Sequence, residues 1–143
     1  MTRLLAVVAT LLLAMLVSEP AAPAVTSRVT LKTFAGYWGG HSRSLNITRT
    51  GRAYEEISSG CCHYVIKLRF QLSHPRGTLL RAFATAKVTW VHVYDRSDFS
   101  KRYPAPRMAQ VGTISLRNGI IEEPLAGAWY CDGKAQTQGK CGA

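Results

Sequence analysis

Apolar and polar residues alternate with period two along most of this chain, and helical periodicity is nearly absent. Tyr64, Ile66, Leu68, Phe70 and Leu72 alternate with Val65, Lys67, Arg69, Gln71 and Ser73, which predicts one half-buried strand. The stretch Leu80 to Tyr94 continues the pattern, with Leu80, Ala82, Ala84, Ala86, Val88, Trp90, His92 and Tyr94 assigned to one face. At about 3.3 Å per residue it would reach roughly 50 Å, so a bend or bulge is expected within it. Shorter strands are predicted over Ser44 to Thr48, Ala53 to Ser58, Gln110 to Leu116 and Ile120 to Leu125. Turns are signalled by Thr50-Gly51, by His74-Pro75-Arg76-Gly77 and by Asn118-Gly119, the last being the strongest short hairpin signal. Tyr94 to Met108, with Pro104 and Pro106, reads as the one long loop.

About seven strands joined mainly by hairpins predict an all-β fold: a single antiparallel meander that closes into a small barrel or a flattened sandwich. In such a meander every second turn lies at the same end. The turns carrying Arg49 and Arg52, then Arg76, then Arg117 would share one rim. Gly60-Cys61-Cys62 and the Pro-rich loop would share the other, where the last strand would deliver Cys131.

The first 24 residues have a different character. Arg3 precedes an apolar stretch from Leu4 to Val17, and Ala22-Pro23-Ala24 has the small-x-small form of a cleavage site, so residues 1–24 read as a signal peptide. Residues 25–143 would then form one secreted domain, extracellular or associated with the cell envelope. Arg3 and Glu19 leave together, so the net charge of +10 is unchanged. Outside that segment no apolar run approaches the 18 residues of a membrane span. Export places Cys61, Cys62, Cys131 and Cys141 in an oxidising compartment and makes two disulfides the expectation. Adjacent cysteines rarely bridge each other, so Cys61 and Cys62 are each expected to take one of Cys131 and Cys141, in either order. Such a bridge closes about 70 residues and contributes roughly 4 kcal/mol in the chain-entropy model. No metal is expected, because the cysteine spacing lacks a zinc-ligand pattern.

Phe34-Ala35-Gly36-Tyr37-Trp38 at the head of the meander resembles the Gly-x-Trp opening of lipocalin- and avidin-like barrels. That resemblance implies a Trp closing one barrel end and room for a small apolar ligand. A wider pattern comprises Gly36-x-Trp38-x-Gly40-His41-x-Arg43-x-Leu45, Gly60-Cys61-Cys62, Pro104-Ala105-Pro106, Tyr130-Cys131-Asp132 and Cys141-Gly142-Ala143. It resembles uncharacterised small secreted proteins of mycobacteria and related actinobacteria, which implies export and bacterial origin but no mechanism.

Candidate chemistry is sparse. His41, His63, His74 and His92 are scattered, and no nucleophile elbow or metal-binding helix motif appears. His92 falls on the apolar parity of its strand and reads as a core or barrel-end histidine. Glu55-Glu56 and Glu122-Glu123 suggest paired carboxylates, but neighbours on a strand point to opposite faces, so neither pair acts as a unit and both read as solvated charge. No catalytic residue and no cofactor is assigned, and an enzyme is the third reading. Basic charge is more informative. Arg96, Lys101, Arg102 and Arg107, interleaved with Tyr94, Phe99 and Tyr103, form a basic aromatic loop suited to an anionic polymer, an acidic lipid surface or a host protein. Nucleic acid is a poor partner for an exported domain. The alternative is a carrier of a small apolar ligand held inside by Trp38, Leu68, Phe70, Ala84, Trp90 and His92.

Overall fold

The computed structural model describes residues 28–58, 64–94 and 105–141, with the backbone alone described at Tyr64. The expected signal peptide, Cys61, Cys62 and His63, and most of the basic loop (Arg96, Phe99, Lys101, Arg102 and Tyr103) lie outside these residues.

Eight strands follow one another: β1 (Gly36–Gly40), β2 (Arg43–Ile47), β3 (Arg52–Ser58), β4 (Tyr64–Thr78), β5 (Arg81–Val93), β6 (Val111–Arg117), β7 (Ile120–Glu123) and β8 (Ala128–Cys131). Each pairs antiparallel with the next, and Gly39 pairs with Cys131 to close β8 onto β1. The meander is therefore a closed barrel rather than a flattened sandwich. A 3₁₀ turn (Leu31–Phe34) precedes β1, and a short helix, α1 (Gly133–Thr137), follows β8.

Local chemistry accounts for the turns. Asn118 and Gly119 both adopt positive φ, 53° and 75°, as a two-residue hairpin with right-handed twist requires. A side chain at Gly119 would also collide with the Asp132 carboxylate, only 2.5 Å from where its Cβ would stand. Asp132 in turn caps α1 by accepting from the Ala135 amide at 2.7 Å. His74-Pro75-Arg76-Gly77 was expected to be a turn, but β4 runs through it to Thr78. The positive φ of His74 (50°) is absorbed as a bulge, where the register shifts between Ser73 and Arg76, and Gly77 (φ 99°) pairs in register with Ala82 just beyond it. The reversal falls instead at Leu79-Leu80, both exposed. Because the strands alternate direction, the turns after β2, β4 and β6 share one end, with Arg49, Arg52, Arg81 and Arg117 around it.

The barrel interior holds one contiguous cluster that includes Trp38, Leu45, Ile47, Leu68, Phe70, Leu72, Ala82, Ala84, Ala86, Ile114, Ile121 and Tyr130. Phe34 joins it from the 3₁₀ turn, and its carbonyl accepts the Trp38 Nε1–H at 3.0 Å. A second, smaller cluster of Ile57, Val65 and Ile66 packs with Val91 and Val93. Val65 and Ile66, neighbours in sequence, are both buried because the β3–β4 register shifts beside Ser58.

Two expectations are corrected here. The bulge foreseen in β5 lies at Thr89: Phe70 pairs with Val88 and Arg69 with Trp90, so Thr89 has no opposite number. One extra residue inverts the face of everything beyond it. Val91 and Val93 turn inward, while Trp90, His92 and Tyr94, assigned by simple alternation to the inner face, turn outward. Leu80 is likewise exposed, in the hairpin tip.

The disulfide is the second correction. Cys131 bridges Cys141, ten residues away, with Cα atoms 6.0 Å apart, so neither pairs with Cys61 or Cys62. An eighth strand explains the difference. β8 reverses the chain after β7 and carries Cys131 back to the Asn118-Gly119 end, where Asp132 N–H donates to the Gly119 carbonyl at 2.9 Å. α1 and the turn after it then bring Cys141 round to meet it.

Candidate functional site

Two groups of side chains stand out, one outside the barrel and one inside. On the outer surface, Tyr37, Asn46, Tyr54, Arg69 and Trp90 occupy a single register row across β1 to β5. Four strand spacings make this row about 19 Å long. The row beside it carries Ser44, Glu56, Lys67 and His92.

Cross-strand contacts organise the rows into a ladder. The Arg69 guanidinium lies 5.1 Å from the Trp90 ring and 5.8 Å from the Tyr54 ring. Trp90 and His92 are near-parallel at 6.0 Å between centroids, and His92 meets Tyr94 edge-on at 4.3 Å. Lys67 lies 5.5 Å from the Tyr94 ring and pairs with Glu56 at 3.2 Å. Tyr54 donates its hydroxyl to the same Glu56 oxygen at 2.7 Å. The Tyr54 hydrogen bond, followed by Lys67, holds the Glu56 carboxyl below its ordinary range, and Glu56 raises the Lys67 ammonium. A depression of about 400 Å³ bordered by Asn46, Thr48, Arg52, Tyr54 and Arg69 adjoins the row. Glu56 is the sole carboxylate in these two rows, set against Lys67, Arg69 and nearby Arg52.

Inside the barrel, Glu55 and Glu123 are fully buried. Glu55 sits between Leu45 and Leu68 in the register and accepts a short hydrogen bond from the Tyr130 hydroxyl. Its second oxygen, Oε2, is buried without a hydrogen-bond partner. Glu123 Oε1 accepts from the Leu125 amide at 2.6 Å and Oε2 from the Ala126 amide at 2.8 Å, so it also holds the β7–β8 turn. Burial pushes the Glu55 carboxyl up to about 8, reinforced by the charge of Glu123. Burial likewise raises Glu123 to about 7, against the pull of its two amide donors. Arg43, half-buried on β2, lowers both. The Tyr130 hydroxyl is raised by burial and by Glu55.

Sequence reasoning missed this cluster although the signal was present. If adjacent glutamates on a strand face opposite ways, one of each pair must face inward. Glu55 and Glu123 do so, near enough that the charge of Glu123 raises Glu55, while Glu56 and Glu122 stay outside. Reading both pairs as solvated charge was therefore right for one member of each and wrong for the other.

The other expected residues are distributed as follows. Trp38, Leu68, Phe70 and Ala84 are buried in the main cluster. Trp90 and His92 are on the outside, so the six do not line one interior space. Tyr94 is exposed at the end of the outer ladder. Arg107 is exposed where the chain re-enters β6, its amide held by Gln110 Oε1 at 2.8 Å. Among the described residues no three His, Cys, Asp or Glu side chains converge in a way that would hold a metal ion. Compared with known proteins, the chain matches no family model, no curated protein and no solved structure.

Proposed function

We propose that this is an exported basic β-domain that binds an anionic cell-envelope polymer noncovalently along the outer face of β1 to β5. The supporting observation is the register row Tyr37, Asn46, Tyr54, Arg69 and Trp90, in which rings and a cation alternate on a rigid sheet. Long-range attraction from Arg52, Lys67 and Arg69 would capture the polymer, and the rings would add contact area once it docks. Stacking on Tyr54 and Trp90 holds the Arg69 fork in place, which reduces the ordering cost on binding. In sequence, the Tyr94 end of the ladder leads directly into the segment that carries Arg96, Phe99, Lys101, Arg102 and Tyr103, which adds further cations and rings to the same stretch of chain. A narrow row suits a linear chain better than the broad plane of a lipid surface or a folded host protein. The carrier reading has less support, since the interior contains two carboxyl groups.

Retention on immobilised heparin, a linear polyanion, tests the proposal. Lys67→Ser with Arg69→Ser should elute at clearly lower salt than the charge-matched control Lys87→Ser with Lys134→Ser. Equal loss from both pairs would mean nonspecific charge attraction and would defeat the reading.

A further inference from the structure

On the opposite side of the barrel, β5 to β8 and the segment after α1 border an open groove of about 650 Å³, lined by Arg81, Arg117, Asn118, Glu122, Trp129 and Lys140 among others. That volume falls within the range of small-molecule sites. Trp129 projects into it from β8 and is 70% exposed, although each of its strand neighbours, Ala128 and Tyr130, is fully packed. Arg81 and Arg117 stand directly opposite each other on β5 and β6. Like charges at paired positions oppose sheet formation, so this placement is unfavourable until an anion lies between them. Neither arginine, nor Lys140, forms an ion pair among the described residues. Phe83 steadies the Arg81 side chain, its ring 5.3 Å from that guanidinium, with Arg76 at 5.8 Å. The Cys131–Cys141 bridge fixes the wall that carries Lys140.

We propose that this groove is a second ligand site, for a short carboxylated saccharide whose ring stacks on Trp129 while its carboxylate lies between Arg81 and Arg117. The planar fork of an arginine matches a carboxylate in two parallel hydrogen bonds. A flat exposed indole with a polar edge suits the apolar face of a sugar ring. Ser115, Asn118 and Glu122 in its lining supply donors and acceptors for hydroxyl groups. Glu122 and Trp129 are register partners, so a ring on the indole has a carboxylate beside its edge. Charge complementarity sets the ligand class: three cations face one carboxylate, which selects an acidic sugar over a neutral one. The site is distinct from the outer ladder, since the two share no residue.

Isothermal titration with trigalacturonate, and with maltotriose as the neutral counterpart, tests it. Wild type should bind trigalacturonate at least tenfold more tightly than maltotriose. Trp129→Ala, and Arg81→Gln with Arg117→Gln, should each lose tenfold or more. Trp129→Phe should keep most of the affinity, which separates ring stacking from damage to the fold. Lys32→Ser with Lys87→Ser, two exposed lysines that belong to neither site, should bind trigalacturonate like wild type. No binding by wild type, equal affinity for maltotriose, or an unaffected Trp129→Ala variant would overturn the proposal. A loss in the Lys32 and Lys87 variant as large as that in Trp129→Ala would do the same.

Discussion

Tyr130 reaches across the barrel from the last strand and donates its hydroxyl to Glu55 on the third, joining residues 75 apart in sequence. The bond satisfies one oxygen of a buried carboxyl group and leaves the other, Oε2, without a partner. Arg43 offsets part of the resulting charge, but it serves Glu123 as well as Glu55. Among the described residues, one arginine therefore acts on two buried carboxyl groups, and protonation decides how well they are tolerated.

Stability should fall as pH rises. Glu55 and Glu123 have folded values of about 8 and about 7, both above the ordinary 4.5, so the unfolded chain releases these protons first. Their contribution is complete below pH 4.5 and is lost as pH climbs through 7 and 8. The melting temperature should be higher at pH 5 than at pH 8.5. Glu55→Gln keeps an acceptor for Tyr130 and should flatten this dependence, gaining on the order of 2–4 kcal/mol at pH 8 and little at pH 5. A wild-type protein most stable at alkaline pH would contradict the buried pair.

Glu123→Ala should behave in the opposite sense to Glu55→Gln. It removes the acceptor of two turn amides, Leu125 and Ala126, the first of them buried. The expected cost is about 2–4 kcal/mol at neutral pH, read from chemical denaturation. Leaving stability unchanged would show that the carboxylate does not hold the turn.

Peptide mapping without reduction should find residues 118–134 joined to residues 141–143 after trypsin, the signature of Cys131 bonded to Cys141. A fragment linking Cys141 to the Cys61-Cys62 segment would refute the pairing.

Deleting Thr89 should be far more damaging than replacing it with Ser. The deletion removes the residue that lets Trp90, His92 and Tyr94 face outward, and would drive them into the barrel while expelling Val91 and Val93. Loss of cooperative unfolding is expected for the deletion and near wild-type behaviour for Thr89→Ser. A stable deletion variant with its Trp90 environment unchanged would disprove the bulge.

The fold class was legible because period-two alternation is a local signal, and β4 from Ile66 to Leu72 follows it without interruption. The hairpin at Asn118-Gly119 was legible for the same reason, since its backbone requirement is met by two adjacent residues. What escaped depends on one-residue shifts. Thr89 carries no distinctive chemistry, yet it decides which way three aromatic residues point. β8 is only four residues long, too short for a periodic signal, and missing it sent Cys131 to the wrong end. The carboxyl pair was obscured differently: Glu55 and Glu123 come together only through barrel closure, which sequence spacing does not express. The outer ladder depends on the Thr89 bulge and on cross-strand register together, so it could not be read from any one segment.

The most direct test of the binding account is an NMR titration of the isotope-labelled protein with a short heparin oligosaccharide, following side-chain and amide signals at fixed salt. The account predicts a set of shifts at Tyr54, Lys67, Arg69, Trp90 and His92 on the outer face that weakens when Lys67 and Arg69 are replaced by Ser, while any shifts at the Arg81, Arg117 and Trp129 groove are unaffected by that replacement. Shifts spread evenly over all the basic residues, or confined to interior residues such as Trp38, Leu68 and Phe70, would contradict it.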